Sequence, residues 1–145
     1  MKIKSLFRRN RNGAVMAEAA LVLPLLIGIT FAITELGNIL YISNSLNQLA
    51  RTIARYASVS QNYTNAGLIT QSGASSIVNT SNLTLTITPA AAASRNVGDQ
   101  ITVVLRYSYT PIVNPYRLFS FSSTTSWISS ISSTAVARSE VKQYP

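Results

Sequence analysis

Cysteine and histidine are both absent from this 145-residue chain. Without cysteine there are no disulfides and no thiolate metal sites. Without histidine the chain lacks the usual general base, proton shuttle and imidazole ligand. Acids are scarce too: Glu18, Glu35, Asp99 and Glu140 are the only four, spread too widely to build an all-carboxylate site. This inventory argues against an enzyme and against a bound cofactor or metal. Bases outnumber acids twelve to four, for a net charge of +8. Five of the twelve (Lys2, Lys4, Arg8, Arg9, Arg11) precede Gly13, and without that segment the charge falls to +3. The remaining bases are scattered rather than gathered into the patch that nucleic acid requires. No nucleic-acid partner is expected.

What the chain does have is one long apolar run. From Ala14 to Thr34 the residues are apolar or small, with Glu18 the single charge. A helix needs roughly 20 such residues to cross a hydrocarbon core. The basic leader 1–13 lies on one side, so the positive-inside rule keeps that end cytoplasmic and sends the rest across the membrane. Beyond Glu35 an apolar stripe continues at Ile39, Ile42, Leu46, Leu49, Ile53 and Tyr56, in steps of three and four that mark one helix face. The opposite face is polar. The pattern predicts one helix over 14–59, transmembrane in its first half and amphipathic in its second. Its stripe covers under three heptads with sparse flanking charge, which favours packing on the chain's own sheet over a coiled-coil seam.

Residues 60–145 make one small domain outside the membrane. A short helix fits within Ala66–Val78, weakened by Gly73. Leu83–Thr88 alternates strictly, as a half-buried strand does, and Ile101–Tyr109 is rich in β-branched and aromatic residues. The two predict an antiparallel hairpin, with turn chemistry at Arg95–Gln100. Thr134–Val141 alternates weakly and is a candidate third strand, while 111–133 yields no definite element. The expected fold is α+β, with the long helix packed on a small antiparallel sheet of about three strands.

Three further positions in the helix carry chemistry or geometry. Glu18 is a carboxylate inside an apolar run, where a charge normally has a partner; the plainer alternative is snorkelling to the headgroups. Pro24 either kinks the helix or is simply tolerated, as transmembrane helices allow. Glu35, near the far interface, either pairs with Arg51 or Arg55 of a neighbouring copy or remains a solvated charge.

The segment RRNRNGAVMAEAALVLPLLIGITFAITELGNILY, with LNQLARTIARYASV after it and a fainter echo in TAVARSE, resembles the TadE-like proteins. These are minor pilins or pseudopilins of the tight adherence (Flp) pilus, a branch of type IV filaments. The resemblance implies cleavage by a prepilin peptidase between Gly13 and Ala14, which makes Glu18 the fifth residue of the mature chain. It implies that Glu18 meets the new α-amino group of a neighbouring subunit. Ala19 departs from the pattern, since the family usually has an aromatic residue after the glutamate. The implied partners are the peptidase, other pilins or pseudopilins, the pilus assembly platform and the inner membrane, with incorporation into the extracellular pilus also allowed. The alternatives are an uncleaved single-pass scaffold or assembly factor of a pilus or secretion machine, and a domain released by signal peptidase near Thr30-Phe-Ala32.

Overall fold

In the computed structural model, residues 11–60, 62–90, 95–112 and 128–142 are described. The leader up to residue 10 lies outside them, as does 113–127 with Phe119, Phe121 and Trp127. The described residues form the expected α+β arrangement. Helix α1 runs unbroken over Arg11–Val59, 49 residues, with Pro24 inside it. At 1.5 Å per residue it is about 73 Å long. Within its apolar half, Thr30 and Thr34 turn their hydroxyls back onto the carbonyls of Leu26 and Thr30, both at 2.9 Å.

Short helix α2 (Asn65–Gln71) follows, its first turn held by the Thr64 hydroxyl, which accepts from the Gly67 amide at 3.1 Å. Gly73, at φ 72°, then turns the chain through the left-handed region that glycine enters without steric cost. Strands β1 (Leu83–Thr88), β2 (Gln100–Ser108) and β3 (Ser130–Arg138) form an antiparallel sheet in sequence order. Leu85 lies opposite Leu105, and Val103 opposite Ala135. In the β1–β2 connection Gly98 is again left-handed, at φ 92°. The Asp99 carboxylate there accepts from the Asn96 amide at 2.7 Å.

The inward residues of the sheet are graded in size, and the grading explains how the helix sits. β1 turns in Leu83, Leu85 and Ile87, and β2 turns in Ile101, Val103 and Leu105. The corresponding positions on β3 are Ser133, Ala135 and Ala137. Helix α1 packs over β3, whose small side chains let its backbone approach, and over β2, while α2 covers β1. Leu68 of α2 is buried, and Asn65 donates to the Leu85 carbonyl at 3.3 Å. From α1 the core takes Ile42, Leu46, Leu49, Ala50, Ile53, Ala54 and Ala57, with Ile39 half-buried against it.

Tyr56 does not belong to that face. It is 38% exposed, and Ala57 is buried in its place. A 3.6-residue period carries the buried face from Ile53 to position 57 rather than 56.

Candidate functional site

The site worth building is the boundary within α1, where one helix leaves its own domain. From Gly13 to Thr34 every residue is exposed save the half-exposed Gly28. The exposed set includes Leu21, Leu23, Leu25, Leu26, Phe31 and Ile33. Such a surface is unstable in water, at about 25 cal/mol per Å² of exposed apolar area. The helix is long and apolar enough to cross a membrane, and its apolar window is wholly uncovered by the chain's own domain. Ala14–Thr34 spans about 32 Å, close to the ~30 Å hydrocarbon thickness.

Gly13 and Glu18 lie at the start of this uncovered stretch. A Cβ placed on Gly13 meets nothing within 4 Å. Glu18 is exposed, one turn beyond Ala14 on the same helix. Neither residue touches the packing residues Ile42–Ile53, so the sequence-predicted positions fall into two separate groups: an N-terminal group and a core group. Pro24 lies between them and does not end the helix.

The change from uncovered to packed helix comes at Glu35, which is only 1% exposed. Glu35 is therefore not a solvated charge: Tyr109 of its own domain reaches it. The Tyr109 hydroxyl, just past the end of β2, donates to Glu35 Oε1 at 2.5 Å. Asn38 Nδ2 in turn donates to the Tyr109 oxygen at 2.9 Å. Glu35 and Asn38 are three apart and share a helix face, so both reach one phenol. Burial, and next the bond to the Glu35 carboxylate, push the Tyr109 phenol up to about 12 from 10.0. It therefore keeps its proton and stays a donor at any physiological pH.

The far end of α1 is held by a second buried polar group, centred on Arg95, itself 1% exposed. Its Nη2 donates to the carbonyls of Ala57 and Ser60, both at 3.0 Å. A cation on the last carbonyls of a helix satisfies acceptors with no partner inside it and complements the helix dipole. Nη1 reaches the Tyr63 hydroxyl at 3.3 Å, and the guanidinium lies 5.0 Å from the Tyr63 ring centroid. Burial raises the Tyr63 phenol, and the nearby positive charge offsets part of that rise. Nε of Arg95 is buried without a hydrogen bond. The Glu140 amide also donates to the Ser58 carbonyl at 2.8 Å, tying the chain beyond β3 to the same helix end.

Sequence reading missed both anchors, yet one of them left a signal. Steps of four, three and four lead from Glu35 through Ile39 and Ile42 to Leu46, so the stripe already places Glu35 on the packing face. Arg95 left none, because it sits in a turn-rich segment and its partners lie more than 30 residues away in sequence.

No curated protein and no solved structure matches this chain. The family model described as TadE-like protein matches residues 13–55. That segment runs from the glycine at the start of the uncovered half, through the Glu35 junction, into the packed half. Over residues 13–55, then, the chain is similar to the TadE-like proteins.

Proposed function

We propose that the chain is a pilin-like structural component, a minor pilin or pseudopilin of a Tad pilus, matured by prepilin peptidase after Gly13. The observation that carries this reading is Glu18: an exposed carboxylate on an apolar helix half that no part of its own domain covers. A charge in that setting needs a partner from outside the chain. After cleavage the α-amino group of Ala14 in a neighbouring subunit supplies one. The helix half then packs beside those of other pilins, first in the inner membrane with the leader cytoplasmic, and next at the assembly platform. The function is structural and not catalytic.

Gly13 has open space around it, so Gly13→Leu leaves the domain folded and tests cleavage alone. The variant should retain the thirteen-residue leader by N-terminal mass measurement, in cells with active prepilin peptidase. Glu18→Ala should insert and fold normally, since it removes an unfavourable charge from the membrane run, yet co-purify poorly with other pilins. Equal masses for wild type and Gly13→Leu, together with normal co-purification of Glu18→Ala, would replace this reading with an uncleaved single-pass scaffold.

A further inference from the structure

A groove runs between the solvent side of α1 and β3, reaching Ser58 and Glu140 near the end of the helix. Arg51, Arg55 and Arg138 line it, with Glu140 as its one acid and Thr134–Arg138 forming one wall. Among the described residues, none of the three guanidinium groups makes a hydrogen bond or an ion pair. Nor does any described strand pair with the outer edge of β3, which is joined only to β2. Unpaired strand edges invite another strand. Here the edge is bordered by unneutralised positive charge.

We infer that this groove receives an extended segment of an acidic partner protein, which adds to β3 as a further strand and sets acidic side chains against Arg51 and Arg55. β3 runs alongside the helix: the Ser133 hydroxyl donates to Asn47 Oδ1 at 2.6 Å, and further on Glu140 meets Ser58. Arg51 and Arg55 are four residues apart, about 6 Å along the helix axis. Alternate residues of a strand are separated by about 6.7 Å. Two acids at positions i and i+2 of an added strand therefore match the two arginines. Lipid headgroups do not fit, because Arg51 lies seventeen residues past Thr34, about 25 Å further along the helix. A second copy fits poorly: from residue 60 onward the chain has five bases and two acids. Nucleic acid supplies anions but no backbone ladder for β3, whereas an extended polypeptide supplies both.

The test uses the full chain in detergent micelles and a labelled synthetic peptide of alternating Glu and Val. Its controls are the same peptide with Lys for Glu and a single-stranded oligonucleotide. The Glu peptide should bind in a salt-sensitive way and slow amide exchange in 130–138. The double variant Arg51→Glu, Arg55→Glu should weaken that binding about tenfold and gain binding of the Lys peptide, which also reports that the variant is folded. Unchanged exchange in β3, equal binding of both peptides to the wild type, or an oligonucleotide binding more tightly than the Glu peptide would overturn the inference.

Discussion

The two halves of α1 share one backbone geometry and have little else in common. Residues 14–34 bury nothing against their own chain, whereas residues 35–59 turn one face into a close-packed core. The first half is apolar nearly all round and long enough to cross a membrane, whereas the second is apolar only along the stripe that faces its sheet. Buried polar anchors mark both ends of the packed half. The Glu35–Tyr109–Asn38 cluster stands where the membrane run ends, and Arg95 stands at the helix C-terminus. The contrast teaches that the helix is a shared rod. Its packed half joins the core, its free half does not, and on the proposed reading that free half packs beside other pilins.

The sharpest way to break that contrast is to make the same truncation in each half. Leu46→Ala removes a side chain with no exposure and should cost about 2–5 kcal/mol, read from denaturant unfolding of the domain in detergent. Leu25→Ala, at a position 57% exposed, should leave that transition within about 0.5 kcal/mol. Equal losses would mean that the free half also supports the domain.

Removal of Arg95 should come next in size. Arg95→Ala strips the Ala57 and Ser60 carbonyls of a charged donor and should cost about 3 kcal/mol. Arg95→Lys keeps the charge but not the planar fork that reaches both carbonyls and Tyr63, so it should recover only part of the loss. Hydrogen exchange should locate the damage at 55–60 and not at Glu35.

Tyr109→Phe is the smaller change, about 1.5–3 kcal/mol, because one hydroxyl bonded to a buried carboxylate is lost while the ring remains. It also carries a pH signature. The folded-state value near 12 lies above the ordinary 10.0, so between them the folded protein holds a proton that the unfolded chain releases. The contribution is fully present below pH 10 and is lost as pH rises toward 12. Unfolding followed from pH 9 to 12 should show this decline in the wild type and a shallower one in Tyr109→Phe. Parallel curves would separate Tyr109 from the junction's stability.

How much of this was legible beforehand differs from element to element. The strict alternation in Leu83–Thr88 predicted β1 to the residue, because one face of that strand is core and the other is water. β3 was harder. The expectation of Thr134–Val141 started four residues late, since Ser130–Ser133 carries little hydrophobic pattern and is held as strand by its pairing with Tyr107, Ser108 and their neighbours. Tyr56 was assigned to the packing face because stepping by three or four fits a stripe equally well until a partner surface chooses.

By itself the sequence determined the membrane-length run, the basic leader before it, the isolated Glu18 and the amphipathic continuation. Each follows from transfer free energy and helix period, which act locally along the chain. Only the tertiary structure decided that Glu35 is enclosed by its own domain, that Arg95 closes the helix end, and that small residues on β3 bring the helix to that side of the sheet. Those outcomes depend on groups far apart in sequence meeting where water is excluded, and there a single hydrogen bond or methyl group decides which residue fits.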